Sequence, residues 1–245
     1  MTSMNGLTFV RSIRLCAAGL VFTLIGGCGG LLPKATPQPS FYSLDRASAE
    51  PRATTRVRST GSIAAPTLVV NPPHAAAGFD SRRIIYIREA HKLEYFAHGE
   101  WVDTLTRMLA PLIVAAVENG GTFRAVVLTP TAAVGDMRPD TEIVRLQQNF
   151  DGQPSRVRFT LRATMVDNVT RAVLALREFD ATVAAASDDP YGGVVAANRA
   201  VQTVLEQLAG FCAETAGYWH SPGQPPGHHP ATEVRKRTDA NVPGR

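Results

Sequence analysis

Alternation of apolar and polar residues is clearest over residues 156–165, where apolar side chains occupy every second position. This two-residue period predicts a β-strand with one buried face. The continuous run Thr67–Val70 predicts a strand buried on both faces. Other β-rich runs predict strands at 41–45, 83–88, 92–98, 123–128, 141–150 and 171–185, and the strands at 83–88 and 92–98 are expected to form a hairpin. The phase of the last strand slips near Arg177, which indicates a bulge.

Two longer segments carry apolar residues at helical spacing. Residues 102–118 predict a helix capped by Asp103 or Thr104, in which Pro111 predicts a kink or a late start. Asp188-Asp189-Pro190 provides a cap and a first-turn proline for a second helix, and its apolar stripe is Val194, Ala197, Val201, Val204, Leu205, Leu208 and Cys212. Strands interrupted by two amphipathic helices predict an α/β domain with a mixed sheet.

Composition indicates one globular domain with tails, since the 245 residues are 44% hydrophobic and 19% charged. Residues 28–40, with three prolines, predict an extended tether, and residues 41–219 form the predicted domain. Within it, residues 46–65 are expected to be a mobile loop, and residues 220–245 a disordered tail. The formal charge is only +4, with basic residues concentrated near both ends, so we expect no nucleic-acid partner.

The first 27 residues predict an export signal with a basic start and a short apolar run. The run ends in Gly26-Gly27-Cys28, which resembles the lipobox of bacterial lipoproteins. That resemblance implies cleavage between Gly27 and Cys28 and acylation of Cys28, whose chains would anchor the protein to a membrane. Gly29 follows, instead of the Asp that retains enteric lipoproteins at the inner membrane, so we expect an outer-membrane lipoprotein facing the periplasm. The alternatives are an ordinary secretory signal or an uncleaved anchor.

The remaining cysteines and motifs argue against catalysis. Cys16 leaves with the signal and Cys28 is acylated, so Cys212 remains alone, and we expect it to be a buried hydrophobe rather than a nucleophile. The sequence contains no phosphate-binding loop, nucleophile elbow or zinc-binding motif. We therefore expect neither an enzyme nor a bound cofactor.

Arg156, Arg158 and Arg162 form a row on the polar side of their predicted strand. This row would suit contact with anionic lipid or with an acidic partner, and a solvated strand face is the alternative. Trp101, beside other aromatic residues at a strand-to-helix junction, is expected either to pack in the core or to serve an assembly interface.

His91 and His98 flank a predicted strand near Glu94 and Glu100. On a regular strand, Glu94, His98 and Glu100 would share a face and could bind a metal or exchange protons. Solvated polar residues at a hairpin end are the alternative, and we favour that interpretation. We therefore expect no metal site.

Several moderate motifs occur in an order that resembles one known family. They are Cys28 with its tether, Phe41–Leu44, Pro66–Pro73, Gly78–Tyr86, Leu93–Phe96 and Trp101. Over residues 28–217 the chain resembles the ABC-type transport auxiliary lipoprotein family. The long segment 46–65 and the basic tail depart from the compact family pattern.

The resemblance implies a three-layer α/β domain with a mixed sheet and no established catalytic residue. Its implied partners are an inner-membrane ATPase and permease and a periplasmic mammalian-cell-entry-type protein, which together move lipids or other hydrophobic molecules. The chain would be a docking adaptor at the outer membrane, and because some relatives form rings, a homo-oligomer is also implied. The alternative function is a monomeric lipoprotein that binds a lipid or a cell-wall fragment.

Overall fold

The computed structural model describes residues 38–45 and 65–219. The predicted signal peptide 1–27, most of the tether, loop residues 46–64 and the tail 220–245 lie outside the described residues. The boundaries assigned to those segments therefore stay predictions.

The described chain contains nine strands and two helices. The strands are β1 Ser40–Tyr42, β2 Thr67–Val70, β3 His74–Ala75, β4 Arg83–Ile87, β5 Glu94–Trp101, β6 Ala125–Leu128, β7 Met137–Asn149, β8 Arg156–Asp167 and β9 Val173–Ala184. The helices are α1 Leu105–Asn119 and α2 Pro190–Tyr218. The α/β class, with a mixed sheet and two long helices, is confirmed.

Strand β7 organises the sheet. One edge of β7 pairs along its length with β8, which in turn pairs with β9, and both pairings are antiparallel. The other edge is shared by three parallel strands in succession: β2 at Met137, β3 at Glu142 and Ile143, and β4 at Gln148 and Asn149. Three further pairs extend the sheet: β6 lies parallel to β2, β5 pairs antiparallel with β4, and β1 lies parallel to β5. The predicted hairpin of β4 and β5 is confirmed.

Strand β7 begins four residues before the predicted strand and includes Pro139. Proline lacks an N–H group and is tolerated where a neighbouring strand does not require that donor. Pro139 lies between the Met137 pairing with β2 and the Glu142 pairing with β3, so neither pairing on that edge falls at the proline.

Helix α1 begins at Leu105, three residues after the predicted start, with Thr104 at the N-cap position. Pro111 is exposed within this helix. Helix α2 begins as predicted: Pro190 is its first residue, and the Asp189 carboxylate accepts a hydrogen bond from the Gly192 N–H at 2.7 Å. The predicted apolar stripe of α2 is buried throughout, including Cys212.

The core lies between the sheet and the two helices. Helix α2 packs on β7, β8 and β9, α1 packs on β2, β3 and β6, and the two helices contact each other. The two helices and the sheet thus share one continuous hydrophobic core. The opposite side of β7–β9 carries polar side chains, which are described below.

Strand β9 contains the predicted irregularity, but at a different residue. The β8–β9 register shifts between Met165 and Val166, which leaves Leu174 as the extra residue. Arg177 itself stays in phase with the buried residues Phe179 and Ala181. The apparent slip at Arg177 arose because a charged residue occupies the helix-facing side of the strand, where it contacts α2 without a change of register.

The first strand is tied to α2 by one side chain. The Asn198 amide accepts a hydrogen bond from the Asp45 N–H at 3.0 Å and donates one to the Ser43 carbonyl at 3.2 Å. Leu44, between these two residues, is buried in the core. The end of the segment that follows the predicted tether is thus fixed to the domain.

Candidate functional site

The side of β7, β8 and β9 that faces away from α2 is a polar surface in the described part of the chain, here called the open face. The register pairs its residues across the three strands, and its members include Arg138, Asp140, Glu142, Arg145, Gln147, Asn149, Arg156, Arg158, Thr160, Arg162, Thr164, Glu178, Asp180 and Thr182. Residues opposite one another on adjacent strands lie on the same face and interact. The predicted arginine row thus lies on one surface, as its alternation indicated.

Arg162 lies directly between two carboxylates. It pairs in register with Glu142 of β7 and with Glu178 of β9. Its guanidinium donates to Glu142 Oε2 and to Glu178 Oε2, each at 3.0 Å. One arginine therefore bridges three strands and is shared by two carboxylates.

Arg158 is also paired. Its Nε atom donates to Asp180 Oδ2 at 2.8 Å, and the Thr160 hydroxyl donates to the same oxygen. Burial raises the pKa of Asp180, but the hydrogen bonds from Thr160 and Arg158 and the charges of Arg158 and Arg145 outweigh it, so the pKa lies below its ordinary value. The carboxylate is thereby held in its charged form.

Arg156 differs from the other two arginines of the row. It is exposed at the start of β8, and its register partners are the neutral residues Asn149 and Ala184. Among the described residues it has no ion pair. The structure thus brings Arg156, Arg158 and Arg162 together but leaves only Arg156 as an unpaired cation.

Sequence reasoning missed the acidic partners of this row. Glu142 lies in the predicted strand 141–150, and Glu178 and Asp180 lie in the predicted strand 171–185. All three occupy polar positions of the alternating pattern in those strands, which is a signal that they lie on the exposed side of the sheet. The signal became specific only once the cross-strand register was known, because a shift of one residue would have moved them to the other face.

Trp101 is corrected from a contact candidate to a core residue. Its side chain is 3% exposed and belongs to the hydrophobic core, and its backbone N–H donates to the Arg82 carbonyl at 2.7 Å. A side chain enclosed in this way offers no surface to a partner, so the core-packing alternative holds.

The histidines and glutamates around β5 do not form a metal centre. In the described ranges 38–45 and 65–219, no group of three His, Cys, Asp or Glu residues has the geometry to hold a metal ion. Glu94 instead lies 3.6 Å from the Lys92 ammonium, and Glu100 lies 3.8 Å from the Arg82 guanidinium. These carboxylates are therefore shared with cations, in agreement with the solvated-hairpin interpretation.

The cysteines provide no nucleophile on the described surface. Burial raises the pKa of the Cys212 thiol to about 12, which keeps it protonated near neutral pH. This confirms that Cys212 is a buried hydrophobe.

Gly27 and Cys28, the predicted cleavage and lipidation residues, lie outside the described residues. Within the described part of the chain, neither helix combines the length and the apolar character that crossing a bilayer requires.

Comparison with known proteins identifies the family. Residues 42–209 match the family model described as "ABC-type transport auxiliary lipoprotein component". The match covers more than half of the chain, so the chain belongs to this family. Membership places it among lipoproteins of the cell envelope that are associated with ABC-type transport. No curated protein sequence matches the chain significantly.

Solved structures show the same fold. A Xanthomonas campestris protein assigned to family DUF330 is 24% identical, with a TM-score of 0.60 over 73% of this chain and 97% of that chain. Another crystal structure, of a protein described only as uncharacterized, is 13% identical, with a TM-score of 0.52 over 72% of this chain and 97% of that chain. At these identities the likeness shows the fold alone.

Proposed function

We propose that this protein is the membrane-anchored docking adaptor of an ABC-type envelope transport system of the mammalian-cell-entry type, which moves lipids or other hydrophobic molecules. The observation that carries the proposal is the family match over residues 42–209. The lipobox-like sequence before Cys28 supports anchoring at the outer membrane, with the domain facing the periplasm.

The open face is the proposed surface for the periplasmic partner. Most of its carboxylates and arginines form ion pairs with one another. We therefore expect a partner to recognise the arrangement of positive and negative groups on this face rather than its net charge. Arg156 is exposed and belongs to no ion pair among the described residues, so it can bind a carboxylate of a partner without first breaking one. Arg158 and Arg162 would orient the contact around it.

The anchoring part of the proposal is tested by Cys28→Ala and cell fractionation. Loss of the acylated cysteine is expected to remove the protein from the outer-membrane fraction, because two or three acyl chains provide its anchor. Continued outer-membrane association of this variant would contradict lipidation at Cys28.

The adaptor part is tested by cross-linking in cells, followed by purification of the protein. The expected result is co-purification of a mammalian-cell-entry-type protein together with its permease and ATPase. A matched sample of Cys28→Ala controls for contacts that form only after lysis. Recovery of the lipoprotein alone, from cells that express the transport system, would remove the adaptor function.

A second function, a monomeric lipoprotein that binds a lipid or a cell-wall fragment, is favoured by one observation: a groove of about 340 Å³ between β9 and α2. Native mass spectrometry distinguishes the two functions. A monomer that carries bound ligand but no transport partner would favour the second function, and a defined oligomer, with or without bound ligand, would favour the adaptor.

A further inference from the structure

A groove lies between the first half of β9 and the last turns of α2. Its volume is about 340 Å³, and its lining residues include Leu174, Ala175, Arg177, Phe211, Glu214 and Trp219. Ligand sites commonly occupy roughly 300–1,000 Å³ and combine apolar walls with a few polar groups. This groove meets both conditions at the small end of that range.

Aromatic and aliphatic side chains form the apolar part of the groove. Phe211 is buried and stacks edge-on against Phe179, with 5.7 Å between the ring centroids. The Trp219 indole N–H donates to Asp167 Oδ2 at 2.7 Å, which fixes the orientation of the indole. Leu174, the extra residue of the β9 bulge, is partly exposed. The strand irregularity thus places an aliphatic side chain at the mouth of the groove.

Two oppositely charged side chains that line the groove form a partly exposed ion pair. The Arg177 guanidinium lies 3.1 Å from Glu214 Oε2, and the two side chains are 48% and 59% exposed. The Arg177 guanidinium carbon also lies 5.0 Å from the centre of the Phe211 ring. Strand phase places Arg177 on the helix-facing side, next to positions filled by Phe179 and Ala181. A cation and an anion are therefore held beside an apolar surface, and both remain accessible.

Charge complementarity selects the class of ligand. A purely anionic head group at Arg177 would bring negative charge next to Glu214, and a purely cationic one would repel Arg177. A zwitterion presents an anion to Arg177 and a cation to Glu214, so it satisfies both groups. The adjoining apolar wall then suits a hydrocarbon chain attached to that head group.

We propose that this groove binds a zwitterionic phospholipid of the phosphoethanolamine type. The phosphate contacts Arg177, the ammonium contacts Glu214, and the first part of one acyl chain lies on Leu174 and Trp219. This inference rests on the proposed function and deepens it, because it assigns a lipid class and a place on the adaptor where that lipid is held.

Tryptophan fluorescence tests the proposal, because the chain contains only two tryptophans. Trp219 lines the groove, whereas Trp101 is buried in the core. The probe is phosphatidylethanolamine with bromine atoms near the head-group end of its acyl chains, added to the purified lipoprotein in detergent micelles. Quenching is expected in the wild type and is expected to be lost in Trp219→Phe, which retains Trp101 as an internal reference.

The double variant Arg177→Gln with Glu214→Gln is the matched control for head-group recognition. It keeps a polar, uncharged amide at both positions, with the size unchanged at position 214 and a shorter side chain at position 177, and it retains both tryptophans. Loss of the charged contacts is expected to weaken the apparent affinity for brominated phosphatidylethanolamine by about tenfold. Equal quenching in the double variant, or equal quenching of the wild type by brominated phosphatidylglycerol, would overturn the zwitterion assignment.

Different experimental results would contradict the adaptor function and the lipid-binding groove. Absence of quenching at Trp219 would overturn the lipid site, while co-purification of the transport partner would show that the adaptor still holds. Conversely, selective quenching in a protein that never co-purifies with a transport partner would support the groove as a lipid site and contradict the adaptor.

Discussion

The two faces of β8 differ in what their side chains do. The helix-facing residues Val157, Phe159, Leu161, Ala163 and Met165 are all buried and belong to the core. On the open face, Arg158 and Arg162 form ion pairs with the neighbouring strands, and Arg156 remains unpaired. One strand therefore supplies packing energy on one side and a charge pattern on the other. The comparison teaches that substitutions one residue apart should have very different consequences.

The largest expected effect comes from the covered face. Phe159 is fully buried, so Phe159→Ala should remove its packing, leave a cavity and destabilise the domain by about 3–5 kcal/mol. The control Arg156→Ala, three residues away on the open face, should leave stability nearly unchanged. Urea unfolding of both variants measures the difference. Similar unfolding midpoints would contradict the assignment of the two faces.

A second effect concerns the contact between α2 and β7. A methyl group at Gly193 would overlap the Oε1 atom of buried Gln148, so Gly193→Ala should destabilise the domain by about 1–3 kcal/mol. Gly210 lies on the exposed side of the same helix with no atom within 4 Å of that position. There the same substitution should stabilise the helix by about 1 kcal/mol. Thermal unfolding that shifts in the same direction for both variants would contradict this packing.

A smaller effect is expected on the open face itself. Arg162→Ala leaves Glu142 and Glu178 without their shared cation, and the expected loss is about 1 kcal/mol or less because all three side chains are partly exposed. Arg156→Ala again serves as the control. The difference between the two variants, measured by urea unfolding, should shrink at high salt. A difference that persists unchanged in 1 M salt would argue against an ion-pair origin.

The smallest effect is a dependence of stability on pH. The pKa of Asp180 and that of Asp167 are lowered, in each case because hydrogen bonds outweigh the burial that would raise it. Their charged forms therefore stabilise the fold above the ordinary aspartate pKa, and this contribution is lost as pH falls through the lowered values. Asp180→Asn should reduce the loss of stability between pH 5 and pH 2, as measured by urea unfolding. An unchanged pH profile would contradict the role of Asp180.

Local sequence patterns predicted most of the elements. Alternation located β8, the continuous apolar run located β2, and Asp189 with Pro190 marked the start of α2. These features depend only on residues that are neighbours in the chain, so they can be predicted from the sequence without knowledge of the fold. The two-residue strand β3 has no such period, and it was missed.

Long-range pairing could not be predicted in the same way. Nothing local to Met137 or Gln148 indicates that three parallel strands share one edge of β7. The tolerance of Pro139 inside β7 also depends on where those strands pair. The groove likewise depends on contact between residues distant in sequence, since Arg177 meets Glu214 only when β9 packs on α2.

Site-specific photo-cross-linking in cells tests the central claim, that the open face receives the transport partner, most directly. A photoreactive residue at position 156 is compared with one at position 199, an exposed position on α2 on the helix side of the sheet. The account predicts a cross-link to the mammalian-cell-entry-type protein from position 156 and none from position 199. A cross-link to that protein from position 199 alone would contradict it.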